Sequence, residues 1–341
     1  MSVNQKKWVA IDLGNSTVKA SVLGENNKPI RLPYPMCGYE TTFLSTIVCC
    51  SDDNVSVGDY ASLLGTVDPS SIKINWMSSN EEVKKTIAKA LFGTVKHAAS
   101  RHYDNSNIGI VLLYNDKLDN DLYNTAKTVF CDVKTMTCCD VLQDILFPNI
   151  NKPVLVMDFG DSAFKISLMD KNNENAFHKN GNLGFDKIDI FSLIDFEDIS
   201  FLSNRETRML SELMQHIKVL ANNGENIILP HFVKCDAITN KFQQKITTYF
   251  YQCFDECSNA LKRWSKSWDD ISDVIFIGGG AHSTIINSTF HKYMQSKNIH
   301  SNCTIKSYNS RNIDFDAQFA ATHCAIQMPE LRQNNGVNIQ F

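Results

Sequence analysis

No run in this chain approaches the ~18 consecutive apolar residues that a membrane-spanning helix needs, so a helical membrane protein is not expected. Residues 1–7 carry two lysines, but no apolar stretch of signal-peptide length follows them, and the expected location is the cytoplasm. Charge of one sign is not in excess either. Lys and Arg number 33 against 37 Asp and Glu, a formal net charge of -4. That balance argues against DNA, RNA or anionic lipid as a partner, because each needs a clustered basic surface. Any bound phosphate must therefore be held by a local arrangement. Low-complexity stretches are absent, and the Asn-rich segments 171–175 and 302–312 read as loops. CxxC pairs are absent too. The 11 cysteines are odd in number, and the adjacent pairs Cys49-Cys50 and Cys138-Cys139 suit neither disulfides nor zinc. Cys253 and Cys257 share one face of an expected helix with no second ligand pair, which leaves reduced, mostly buried thiols as the reading.

What is present is a repeat. Val9-Ala10-Ile11-Asp12-Leu13-Gly14-Asn15-Ser16-Thr17-Val18-Lys19-Ala20-Ser21 aligns without gaps on Leu155-Val156-Met157-Asp158-Phe159-Gly160-Asp161-Ser162-Ala163-Phe164-Lys165-Ile166-Ser167. Asp12 then matches Asp158, Gly14 matches Gly160, Asn15 matches Asp161, Ser16 matches Ser162 and Lys19 matches Lys165. Each copy reads as an apolar strand, a tight turn and a second alternating strand, so a hairpin is duplicated. A glycine turn lets backbone approach a ligand closely, and successive N–H groups can form a nest for phosphate oxygens. An aspartate at the end of the first strand could orient a hydrated metal beside them.

A third segment, Asp273-Val-Ile-Phe-Ile-Gly278-Gly279-Gly280-Ala-His282, is an apolar strand ending in glycines ahead of a helix expected to start at Ser283 or Thr284. Backbone bare of side chains admits a flat purine or ribose, and the helix N-terminus favours a nearby phosphate.

These three segments, in this order, resemble the two phosphate motifs and the adenosine motif of the superfamily that contains actin, plasmid-segregating actin-like filaments, the seventy-kilodalton heat-shock chaperones and sugar kinases. The nucleotide-binding domain of the chaperones is the nearest likeness. Thr41-Thr42 before a strand and Val57-Gly58-Asp59-Tyr60-Ala61 are similar to chaperone segments that actin lacks. The stretch 68–73 resembles the one that delivers the chaperones' catalytic lysine, which implies that role for Lys73. Where the chaperones carry a water-placing glutamate, this chain has Cys139 followed by Asp140, and Asp140 is the candidate for orienting water. Gly160-Asp161-Ser162-Ala163 resembles actin more than the glycine-richer chaperone turn, as does Lys19. The resemblance makes Gly14, Asn15, Ser16, Thr17, Lys19, Gly160, Asp161, Ser162 and Lys165 phosphate contacts. It makes Gln215, Lys218, Gly278, Gly279, Gly280, His282 and Asp316 nucleoside contacts, and Asp12 and Asp158 holders of Mg2+ through water. The stretch 314–327 resembles the helix that ends the ATPase domain, and no room is expected after it for a peptide-binding domain.

The implied fold is α/β: a two-lobed, ribonuclease H-like actin-like ATPase with a mixed five-stranded sheet and flanking helices in each lobe and a nucleotide cleft between them. A length of 341 residues suits two lobes, since single cores stop growing near ~250 to 300 residues. Lobe I spans 1–151 with 312–341 returning to it, and lobe II spans 152–311. Val83, Ile87, Ala90, Leu91, Thr94, Val95 and Ala98 predict a helix, 108–113 a strand and 205–222 a further helix, while Trp264 and Trp268 are expected on one buried helical face. Segment 191–201 reads as a helix or a partner surface. The implied function is ATP or ADP binding with Mg2+, weak or absent hydrolysis, and lobe closure that regulates a protein partner, with self-association open. A filament-forming plasmid-segregation ATPase and a sugar or small-acid kinase stand as alternatives.

Overall fold

The strands of this chain sort by register before they sort by order. The computed structural model describes residues 6–14, 17–36, 39–41, 44–46, 48–51, 54–58, 72–73, 76–78, 80–170, 175–188, 195–196, 233–234, 238–299, 303–307 and 316–332. The chain divides into two compact units, Met1–Asn149 with Phe319–Phe341, and Ile150–Gln318.

In the first unit the apolar run Lys7–Leu13 forms β1, which turns back into β2 (Thr17–Leu23) and β3 (Pro29–Arg31). The pairs β4 (Tyr34–Met36) with β5 (Tyr39–Thr41), and β7 (Val48–Ser51) with β8 (Asn54–Val57) and β9 (Ile72–Lys73), form small separate sheets. The main sheet runs β11 (Asp132–Thr137), β10 (Ile108–Tyr114), β1, β2, β3, with the short β6 (Leu44–Ser45) also on β2. It is mixed: β1 and β10 are parallel, β1 and β2 antiparallel.

Helix α1 (Glu81–Tyr103) starts where the Asn80 side chain accepts from Val83 N and stops where Asp104 takes the left-handed conformation. Its buried stripe is Ile87, Ala88, Leu91, Phe92, Val95, Ala98 and Ala99. Ala90 and Thr94, expected on that stripe, are half-buried at its margin. The stripe packs on Val9, Ile11, Val18, Ala20 and Val22. Helices α2 (Asn120–Val129) and α3 (Cys138–Leu146) follow β10 and β11 and are capped by Asp119 and Thr137. On β1, β2 and β3, and against α3, lies a helix from the far end of the chain, Ala320–Ile326. The buried hydroxyls of Ser21 and Thr322 meet there at 2.6 Å.

The second unit repeats the plan. Its sheet runs β14 (Ala176–Asn180), β13 (Phe164–Met169), β12 (Val154–Phe159), β17 (Asp273–Ile277), β18 (Thr304–Lys306). Again a hairpin, β12 with β13, sits beside a parallel neighbour, β17. The strand β18 corrects the loop expected over 302–312: an edge strand needs few apolar residues, so composition hides it. Helix α4 (Ile238–Arg263) covers the sheet through a wall of rings in which Phe159, Phe164, Phe250, Phe254, Phe276 and Phe290 pack mostly edge to face. Cys253 and Cys257 are buried on the same face of α4, and burial pushes both thiols up, in keeping with inert core cysteines.

The tryptophans do not share a helix. The chain leaves α4 at Arg263, Ser265 takes a positive φ of 55°, and Trp268 opens a separate turn of 3-10 helix. Trp268 is nonetheless core, with Nε1 donating to Ser258 Oγ at 2.9 Å, and Trp264 packs at the core's edge. Of segment 191–201 only the two-residue strand β15 (Asp195–Phe196) is described, paired with β16 (Val233–Lys234). The helix expected over 205–222 lies outside the described residues. Among the described residues no helix is long and apolar enough to cross a membrane.

Candidate functional site

The repeated turns share one steric constraint. Gly14 N donates to Thr17 O at 3.0 Å, and a Cβ on Gly14 would stand 2.7 Å from that oxygen. A Cβ on Gly160 would stand 2.8 Å from Ala163 O. Both turns therefore demand glycine at the same position, for the same steric reason. Asn15 and Ser16 lie outside the described residues; Thr17 and Ser162 are half-buried and Asp161 is exposed.

The repeat extends to the charges. Asp12 lies directly opposite Lys19 in one hairpin, and Asp158 directly opposite Lys165 in the other. Lys19 Nζ is 3.3 Å from Asp12 Oδ2, with the side chains 15% and 18% exposed. Lys165 Nζ is 2.9 Å from Asp158 Oδ2, with the side chains 24% and 14% exposed. Each hairpin thus presents one carboxylate and one ammonium, mostly shielded from water, at the mouth of a glycine turn.

In the second unit the triple glycine is built against this turn. Gly278, with a φ of +89°, comes so close that a Cβ there would lie 2.4 Å from Asp158 Oδ1 and 2.8 Å from Phe159 O. A Cβ on Gly280 would lie 2.8 Å from Phe159 Cβ. Gly279 differs: it is exposed, and a Cβ there would meet nothing within 4 Å. Two of the glycines serve packing and the middle one offers bare backbone. Gly279 and Gly280 open a 3-10 turn, Gly279–His282, and α5 (Ile286–Ser296) begins only beyond it, later than the Ser283 or Thr284 start that the sequence suggests. The helix N-terminus expected beside the glycines is therefore displaced to Ile286. His282 Nε2 stands 3.7 Å from Asp316 Oδ1, and Gly278 N donates to Ala317 O, so residues 316–318 stay with the second unit.

Two residues without a sequence-derived role complete this surround. Phe185 N donates to Gly160 O, and the ring of Phe185 meets Tyr249 edge to face. Tyr249 OH donates to Leu183 O at 3.2 Å. Burial pushes its phenol well up, with a hydrogen bond to Cys253 and the charges of Asp158 and Asp161 adding, so it stays a neutral donor behind the turn.

The remaining candidates are scattered. Lys73 ends β9, where it pairs with Val48 of β7. Asp140 is exposed in the first turn of α3, where its N–H donates to the Thr137 hydroxyl, while the buried Cys139 thiol is pushed up to about 12, chiefly by burial. Gln215 and Lys218 lie outside the described residues. Among the described residues no group of three or more His, Cys, Asp or Glu could hold a metal ion. Compared with known proteins, the chain matches no family model and no curated sequence, so the functional reading stands on the duplicated hairpin itself.

Proposed function

We propose that this chain binds ATP or ADP, with its two hairpins contributing the hold on the phosphates, in the manner of an actin-like, chaperone-related ATPase. One observation carries the reading: two hairpins far apart in sequence share register, glycine turn and an aspartate–lysine pair. A turn that recurs with its largely shielded charges intact is hard to explain as packing, which needs neither charge. Backbone N–H groups of the turns around Gly14 and Gly160, with Asn15, Ser16, Thr17, Asp161 and Ser162, suit phosphate oxygens. Lys19 and Lys165 supply positive charge, and bare Gly279 with His282 and Asp316 beside it suits a nucleoside. Lys218 and Gln215 belong to the same reading through the resemblance alone.

Magnesium, when present, neutralises phosphate charge. With no acidic cluster to ligate it among the described residues, it would ride on the nucleotide and reach Asp12 and Asp158 only through water. Turnover is expected to be slow or absent. A protonated, buried Cys139 cannot act as a base, and Asp140 stands exposed beside it. Lys73 as a further catalytic group, and nucleotide-dependent closure acting on a protein partner, complete the proposal.

Calorimetric titration of the full chain with ADP and ATP in magnesium tests it. Saturable heat for either nucleotide is the expected result, and none for both would remove the reading. Light scattering at rising protein concentration with ATP separates a filament-former, which the actin-like residues Lys19 and Asp161 also suit, from a monomeric switch.

A further inference from the structure

We infer that this chain grips nucleotide phosphates without requiring a divalent cation, because Lys19 and Lys165 already stand as built-in counter-cations to Asp12 and Asp158. The inference rests on the nucleotide reading above and goes beyond it in naming what neutralises the site.

A carboxylate beside a polyphosphate is repulsive unless a cation intervenes, and a hydrated metal ordinarily fills that need by attracting both anions at once. Here the cation is covalently attached. Strand register sets Lys19 opposite Asp12 and Lys165 opposite Asp158, so in each hairpin the lysine side chain leaves the backbone directly across from its carboxylate. Both pairs are close, 3.3 Å and 2.9 Å, and all four side chains are at least three-quarters shielded. Such shielding keeps the attraction from being screened away as it is at an open surface. Each lysine cancels its aspartate's repulsion of phosphate, and by the same cancellation weakens the aspartate's hold on a metal. A lysine ammonium also carries three donors, so it can keep the carboxylate and still donate to a phosphate oxygen. That the arrangement occurs in both copies of the hairpin makes it a property of the duplicated motif rather than of one strand pair.

The test is calorimetric titration of the full chain with ADP, in magnesium and in EDTA. Dissociation constants that agree within about threefold are expected, a difference smaller than the tenfold that 1.4 kcal/mol represents. Binding in magnesium that is lost in EDTA would overturn the inference and leave the nucleotide reading standing, whereas silence in both buffers would overturn both. Lys165→Gln and Lys19→Gln carry the second arm. Each is expected to weaken binding in EDTA by about tenfold or more and to regain part of it with magnesium, since the uncompensated aspartate then needs the metal. Lys165→Arg and Lys19→Arg keep the charge and are expected to remain metal-independent, which separates charge from folding damage. Glutamine variants that match the parent in EDTA would also sink the proposal.

Discussion

Asp158 and Lys165 stand seven residues apart and directly opposite each other across a hairpin, joined by a 2.9 Å ion pair. Removing one partner separates the two jobs the pair could do. Asp158→Asn keeps the shape and deletes the charge. Stability should fall by about 1 kcal/mol, between the value of an exposed pair and that of a fully buried one. With the Lys165 ammonium no longer neutralised by Asp158, ADP should bind more tightly. Thermal melts and calorimetry together decide this: weaker ADP binding at unchanged stability would mean the carboxylate itself contacts the ligand.

Neighbouring glycines predict opposite outcomes. Gly278→Ala forces a Cβ to within 2.4 Å of Asp158 Oδ1, at a φ of +89°. Backbone strain and overpacking should together cost about 2–4 kcal/mol, seen as a large drop in melting temperature. Gly279→Ala meets nothing within 4 Å, so its stability should stay within about 0.5 kcal/mol of the parent. If a nucleoside lies on that bare backbone, Gly279→Ala nevertheless weakens ADP binding, and a variant that is both stable and fully competent would move the nucleoside elsewhere.

The Ser21–Thr322 contact ties the returning helix α6 (Ala320–Ile326) to β2 within the first unit. Thr322 Oγ1 also donates to Phe319 O at 3.0 Å, which makes the Ser21 hydroxyl the donor between them. Thr322→Val strands a buried Ser21 hydroxyl and should cost about 1–3 kcal/mol, whereas Ser21→Ala leaves Thr322 its carbonyl and should cost about 1 kcal/mol or less. The double variant should cost less than the sum of the singles. Denaturant unfolding of the four proteins measures the coupling, and strict additivity would show that the contact contributes nothing.

Glu256 gives the second unit an acid limit. Burial pushes its carboxyl up, but hydrogen bonds and charge from Arg263 and His178 outweigh burial and hold it below the usual carboxylate range. A depressed folded-state value contributes stability that is present above the unfolded value, about 4.3, and is lost as pH falls through the folded value. The loss of melting temperature between about pH 6 and about pH 3 should therefore be smaller in Glu256→Gln than in the parent. Identical acid slopes would remove Glu256 from the account.

Much of this was legible from residue spacing, and the rest fails for identifiable reasons. The hairpins show because strand alternation and the glycine turn are local. The same spacing between aspartate and lysine in both copies also holds the ion pairs, but it reads as two lysines for phosphate unless the turn is folded mentally and the strands laid side by side. Tyr249 could not be found that way, since it reaches the Gly160 turn from α4 through Phe185 and Leu183 and no local pattern records that path. The late start of α5 and the break between Trp264 and Trp268 have a shared cause. A 3-10 turn and a left-handed Ser265 interrupt helices without any proline to announce them.

Cys139 decides the prediction about turnover. At the second position of α3 its thiol is pushed up to about 12, so it is protonated and slow to react at neutral pH, while exposed Cys131 should alkylate before it. Cys139→Glu places a carboxylate in the first helical turn, where the helix N-terminus favours negative charge. If α3 addresses the water that attacks the γ-phosphate, phosphate release from ATP should rise by about a hundredfold, the low end of what a positioned base supplies. Cys139→Gln, of the same size without the charge, should leave release at the parent rate. Equal rates for all three proteins, with melts showing each folded, would mean that the slow step lies elsewhere and that α3 takes no part in the chemistry.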